Sequence, residues 1–276
     1  MTDLEPGRLV RVALGVQRLL APNPSLLTGP GTNSYLLGDP PRAIIDPGPA
    51  AAEHVEALLA AAPQLSQIFV THTHADHSAA ARTLAARTGA QLVGRAVPAR
   101  GPQERSFRPH VEPQRDQEFA LAGATLRAID TPGHASNHVC YLLLESGMLF
   151  SGDHVLDGMT PVIAPPDGDM AAYLESLQRL RSYPLRSIAP GHGQLLGEPL
   201  ARIDAVVAHR HERESKVLHA LTAHGPATVE ELLPRVYADV RPALYPLARQ
   251  SLEAHLLKLA AEGRAEHRDQ RWRALH

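Results

Sequence analysis

Between Gln67 and Ser78 the chain reads Gln-Ile-Phe-Val and then Thr-His-Thr-His-Ala-Asp-His-Ser. The first four residues have the apolar, β-branched character of a short buried strand. After Ser78 come good helix formers, closed by Gly89. Three imidazoles and a carboxylate therefore sit on the loop that joins a strand's C-terminal end to a helix. Alternation in the extended part sends His72 and His74 to one side, where both can grip one cation. The chain then turns, and Asp76 and His77 face a second position beside the first. Packing alone gives no reason for four such groups in six residues, so the stretch reads as a seed for two adjacent metal sites.

The rest of the chain fits a protein built to hold that loop. Strand patterns flank Gly15 between Leu9 and Leu20, and a hairpin is expected from Asn33–Leu37 to Ala43–Ile45. Asp46-Pro47-Gly48 ends its second arm with an acid. Helix is expected over 53–61 and 170–182, and strands at 118–121, 125–129, 138–144, 148–150 and 186–189. Strands in runs separated by helices predict an α+β fold of two mixed sheets face to face, with helices outside.

From about Ile203 the pattern becomes helical. Thr228-Val229-Glu230-Glu231 has the form of a capping box, and leucines recur at helical spacing from Leu244 to Leu259. An arginine-rich tail around Trp272 follows. The expected division is a catalytic domain over residues 1–204 and a winged-helix-like module over 205–276.

At 276 residues, with net charge −2 and 4% aromatics, the whole chain offers no general argument for nucleic acid or an anionic membrane. The charge splits mildly, −5 over residues 1–240 and +3 over 241–276. The lone cysteine, Cys140, rules out an intramolecular disulfide and a thiolate zinc knuckle. It lies mid-strand and reads as a small core residue. The N-terminus lacks the basic start and apolar run of a signal peptide, and no stretch reaches the roughly 20 apolar residues of a membrane span. A cytoplasmic protein with no membrane partner is expected.

Three later segments each put one metal-capable group on a strand-end loop beside a glycine: Thr131-Pro132-Gly133-His134, Ser151-Gly152-Asp153 and Pro190-Gly191-His192-Gly193. In this order after the His-rich loop, the sequence resembles the metallo-beta-lactamase superfamily over roughly residues 8–205. The resemblance implies an αββα sandwich with its site along one edge of the sheets. It implies His72, His74 and His134 on a first metal, Asp76, His77 and His192 on a second, and Asp153 bridging both. Asp46 matches the buried acid that steadies the ligand loop. Two Zn²⁺ per chain are expected, with Fe or Mn as alternatives. A bridging hydroxide would be the nucleophile and Asp76 would take a proton. Asn33, His138 and His154 are the expected substrate-side or leaving-group residues.

Within the superfamily the chain is most similar to the lactamase-like endoribonuclease subgroup (beta-lactamase-like protein 2). The likeness lies in Gly31-Thr32-Asn33-Ser34-Tyr35-Leu36, Thr131 through His138, Phe150 through His154, the Pro190-Gly191-His192-Gly193 turn and the helical tail. It implies phosphodiester cleavage of single-stranded RNA. Arg95, Arg100, Arg105, Arg108 and the C-terminal arginines are candidates for a phosphate track. A glyoxalase-II-like thioesterase acting on a small-molecule acyl thioester is the alternative. A nucleic-acid-binding regulator with a vestigial hydrolase domain is a third reading. The tail also has a packing or homodimerisation reading.

Overall fold

The structure is a computed structural model and describes residues 4–121 and 123–275. Six strands form the first sheet in chain order: β1 (Leu9–Ala13), β2 (Val16–Leu20), β3 (Asn33–Gly38), β4 (Pro41–Ile45), β5 (Gln67–Phe69) and β6 (Gln91–Val93). The first four are antiparallel, and β4, β5 and β6 run parallel. Parallel neighbours need a crossover. Helix α1 (Ala52–Ala61) supplies one, and the short α2 (Ala75–Ser78) followed by α3 (Ala81–Thr88) supplies the other. Gly89 ends α3 at φ 75°, in the left-handed region expected of a glycine stop.

The second sheet comprises β7 (Glu118–Leu121), β8 (Ala124–Asp130), β9 (Val139–Leu143), β10 (Met148–Gly152) and β11 (Ser187–Pro190), in the order β11-β10-β9-β8-β7. Helix α4 (Met170–Leu180) makes the crossover to β11, which is parallel to β10.

Period-two alternation assigns each strand residue to a layer. Tyr35, Leu37, Ala43, Ile45 and Phe69 of one sheet meet Leu126, Val139, Tyr141 and Phe150 of the other in the central core. The intervening residues face outward. Leu36, Ile44 and Ile68 pack under α1 and α3, and Cys140, Leu142 and Leu149 pack under α4. The result is the expected αββα sandwich, with both sheets covered on both faces.

Two buried tyrosines tie this core to the strand ends that matter. The Tyr141 hydroxyl donates to the Val70 carbonyl at 3.1 Å, and the Tyr35 hydroxyl donates to the Pro190 carbonyl at 2.9 Å. Both carbonyls lie just before turns that carry candidate ligands. Backbone bonds also stitch the sheets together along this edge, from Val139 N to Thr71 O and from Asn33 N to Gly191 O, each 2.8 Å.

The C-terminal part begins with α5 (Pro199–His224), followed by α6 (Val229–Val236), α7 (Tyr245–Ala261) and the ribbon β12 (Ala265–Arg268) and β13 (Arg271–Ala274). Helix α5 starts earlier than its apolar spacing indicates, because Pro199 sits at the first helical position, where a missing N–H costs nothing. It runs unbroken past residue 204. The capping box at Thr228 forms in full. Leu221, Leu232, Leu252, Leu256 and Trp272 make a separate small core. No helix among the described residues is long and apolar enough to cross a membrane.

Candidate metal centre

The strand-end loops converge at one edge of the sandwich. The first loop leaves β5 extended, so His72 and His74 project together; His134 arrives from the turn after β8. His72 Nε2 lies 2.9 Å from His74 Nδ1, which lies 3.1 Å from His134 Nε2. In α2, Asp76 and His77 turn to a neighbouring position and meet His192 from the turn after β11. Asp76 Oδ2 is 3.5 Å from His77 Nε2 and 3.3 Å from His192 Nε2. Asp153, after β10, stands between the groups. Its Oδ1 is 3.3 Å from both His77 Nε2 and His192 Nε2, and its Oδ2 is 3.7 Å from His134 Nε2. His72, His74 and His134 thus form one candidate triad, and Asp76, His77 and His192 form another.

Residues 27–192, more than half the chain, match the family described as the Metallo-beta-lactamase superfamily. The chain belongs to the metallo-beta-lactamase superfamily. Residues 228–272 match the Beta-lactamase associated winged helix domain. Among curated relatives, a Beta-lactamase-like protein 2 homolog of Drosophila melanogaster is 31% identical and is covered over 91% of its length by 93% of this chain. An Atrochrysone carboxyl ACP thioesterase of Aspergillus fumigatus is also 31% identical, over 80% of this chain and 73% of its own. A beta-lactamase domain protein from Burkholderia ambifaria shares the fold at TM-score 0.81 and 22% identity, covering 99% of this chain and 96% of its own. The superfamily is one of hydrolases, and this member carries candidate metal-ligating clusters of His and Asp.

Contacts behind the clusters set the direction of each ring. His134 Nδ1 donates to the Val162 carbonyl at 2.8 Å, and His192 Nδ1 donates to the Gly31 carbonyl at 3.1 Å. His77 Nδ1 donates to Asp46 Oδ2 at 2.8 Å. Each bond fixes Nδ1 as the outward donor and directs Nε2 at the cluster, where a bound cation would take the place of any Nε2 proton. Asp46 also accepts from the Thr71 N–H at 2.8 Å and the Thr71 hydroxyl at 2.7 Å, and Thr71 Oγ1 lies 3.1 Å from His72 Nδ1. One buried carboxylate therefore governs the loop and one ring. The Val162 carbonyl carries no sequence signal, whereas Gly31 and Thr71 stand inside the motifs themselves.

Close approach explains two of the glycines. A Cβ on Gly152, whose φ is 47°, would lie 2.5 Å from Thr71 Oγ1. One on Gly191 would lie 2.6 Å from His77 Cε1 and 2.8 Å from Asp153 Oδ1. Only a residue without a side chain lets these turns come so near.

The two triads differ electrostatically. Burial, reinforced by neighbouring imidazoles, pushes His72 well below the usual histidine range and His74 down to about 3. At His77, burial is outweighed by Asp153, Asp76 and Asp46, which hold the ring well above that range. The same balance, dominated on the raising side by Asp153, lifts His192 to about 9. Asp76 is held at about 2, with His77 and His192 outweighing its burial.

A cation pair fits these residues. His77 Nε2 and Asp153 Oδ1 are buried and stand 3.3 Å apart without hydrogen-bond geometry, so both remain open to a further species that would satisfy them. Imidazole and carboxylate donors suit Zn²⁺ and its first-row neighbours.

The expected substrate-side residues are placed elsewhere. Asn33 is fully buried, and its amide donates to the Pro190 and Gly193 carbonyls at 2.9 Å each, holding the His192 turn. His138 stacks on His72 with ring centroids 5.0 Å apart and bonds Thr131 Oγ1 through Nδ1 at 2.9 Å. His154 is buried between His138 and Tyr173. Asn33 and His138 back candidate ligands from behind, His154 packs behind His138, and none of the three lines the cavity over the clusters. That cavity, about 330 Å³, has His74, Asp76, His134, Asp153 and His192 on its floor. Its walls are chiefly apolar: Leu27, Leu156, Met159, Pro161, Val162 and Leu247.

The candidate phosphate track is largely committed. Arg95 pairs with Asp130, and Arg105 and Arg108 bond loop carbonyls. In the module, Arg249 pairs with Glu230 and Glu253, Arg264 with Glu214 and Glu262, Arg271 with Glu231, and Arg273 with Glu266.

Proposed function

We propose that the chain is a two-zinc hydrolase of small acyl thioesters, or of similarly activated acyl compounds with an apolar acyl group. One observation carries this reading: the cavity over the two triads is walled by aliphatic side chains, with no Lys or Arg among the described residues that line it. A nucleic-acid backbone requires cations along its path. An acyl group requires apolar cover, with polar groups only at the reacting end. A relative named as an acyl carrier protein thioesterase points the same way.

His72, His74 and His134 would hold one zinc, Asp76, His77 and His192 the other, and Asp153 both. Such a pair, when bound, supplies Lewis acidity and lowers the pKa of water. The chain's own contribution is placement. Asp46, Val162 and Gly31 fix three imidazoles, and the aliphatic walls keep bulk water from the acyl chain. Asp76 is the cluster carboxylate most open to the cavity, with a side chain 29% exposed. It takes one proton as water oxygen joins the carbonyl carbon and returns that proton to sulfur as the carbon–sulfur bond breaks, releasing acid and thiol.

A second reading, cleavage of single-stranded RNA, is favoured by the near full-length likeness to Beta-lactamase-like protein 2 homologues and the subgroup motifs. A vestigial site is opposed by the seven converging side chains. One panel decides between the readings: a series of acyl N-acetylcysteamine thioesters, a glutathione thioester, single-stranded RNA and a bis-aryl phosphodiester. Turnover of simple acyl thioesters at least tenfold above the others is expected. Cleavage of RNA alone would overturn the proposal.

A further inference from the structure

The cavity is not built by the catalytic domain alone. Leu247 and Gln250, from the first turns of α7 in the C-terminal module, line it beside Met159, Pro161 and Val162. Three apart on a helix, they share one face. The neighbouring face is occupied: Leu252, Leu256 and Leu259 are buried in the module's own core.

This wall is anchored to the segment that carries the ligand-orienting carbonyl. Arg210 of α5, only 2% exposed and lying over the Tyr173 ring, donates to the Pro161 carbonyl. Ser251 of α7 accepts from Ile163 N at 3.5 Å. Between these attachments lies Val162, whose carbonyl holds His134. Further along α7, Ala254 is buried in the core beneath α4. The module wall and the metal floor are therefore fixed to the same three residues, and the distance between them is set.

The non-ligand polar groups of the cavity differ in availability. Both carboxylate oxygens of Asp167 are taken, by the Ser136 hydroxyl and the Gln103 amide. Among the described residues, none hydrogen-bonds the Gln250 side chain.

We propose that the C-terminal module is the selectivity wall of the acyl pocket, with Leu247 limiting acyl length and Gln250 reading a hydroxyl or carbonyl on the acyl group. This rests on the acyl reading above. The role differs from nucleic-acid recognition: α7 is spent on the substrate cavity rather than on an external groove.

The test uses the full-length, zinc-loaded protein and straight-chain acyl N-acetylcysteamine thioesters from butanoyl to decanoyl. Leu247→Trp is expected to lower the octanoyl-to-butanoyl ratio of kcat/KM by about tenfold or more, the scale on which a pocket discriminates added methylenes. Octanoate affinity measured by calorimetry should fall in parallel. Leu247→Ala should move the optimum to longer chains. Gln250→Leu should remove a preference for 3-hydroxyoctanoyl over octanoyl thioester. Leu257→Trp, exposed on the same helix and outside the cavity, is the control. Wild-type ratios and octanoate affinity in both Leu247 variants would overturn the inference, as would an equal shift in the Leu257 control. Failure of the wild-type protein on every thioester would overturn the acyl reading itself, a result distinguishable from either.

Discussion

Replacing Asp46 by Asn tests whether one carboxylate sets both the loop and the ligand state of His77. Asp46 accepts three bonds, from Thr71 N, Thr71 Oγ1 and His77 Nδ1, at 2.7–2.8 Å. An amide keeps one oxygen. With that oxygen left on Thr71 N, the new NH₂ faces the His77 N–H and the Thr71 hydroxyl. Imidazole relieves this clash by giving up its Nδ1 proton and keeping one on Nε2, the atom a cation would occupy. Loss of a ligand's outer hydrogen-bond partner costs about 10–100-fold in metal affinity, or about 1.4–2.7 kcal/mol. The backbone does not confound the result. Asp46 has φ 50°, and Asn is well tolerated there. Ala at this position would instead strand the buried Thr71 N–H, adding about 1–3 kcal/mol of destabilisation. Competition titration against a chromogenic chelator should show the second zinc equivalent weakened 10–100-fold while thermal unfolding stays cooperative. A second equivalent held within twofold of wild type would refute the reasoning.

Two further outcomes follow from the same packing. Glu214 is held at about 2, because contacts with His255, Lys258 and Arg264 outweigh its burial. Its stabilisation is complete above its unfolded value near 4.5 and is lost as pH falls toward 2, on the order of 2–3 kcal/mol. Urea denaturation at pH 6 and pH 3 should show that step in the wild type and a reduced one in Glu214→Gln; equal steps would contradict it. Gly191→Ala places a methyl against His77 and Asp153, so the second zinc equivalent should weaken tenfold or more by calorimetry. Two equivalents at wild-type affinity would show that the turn relaxes freely.

The candidate metal centre was legible because its densest part is local. Four candidate ligands lie in six residues, and His134, Asp153 and His192 each follow a recognisable strand beside a glycine. The sandwich was legible from runs of strands separated by helices, and Cys140 is the buried core residue that its mid-strand place implies. The cavity was not, since its walls come from Leu27, from residues 156–164 and from α7, with no shared local pattern. Nor does sequence tell a loop histidine that faces substrate from one that stacks behind a ligand, as His138 does. Arginine clusters read as cationic until the fold brings Glu230, Glu231, Glu253 and Glu266 beside them. Strand β6 escaped notice because three residues, Gln91–Val93, are too few to show a period.

The central claim is that seven side chains hold two cations at this edge of the sandwich. Anomalous diffraction at the zinc edge, on crystals of the loaded protein, tests it most directly. Two peaks are predicted, one among His72, His74 and His134 and one among Asp76, His77 and His192, with Asp153 between them. A single peak, or peaks bound by other residues, would contradict the account.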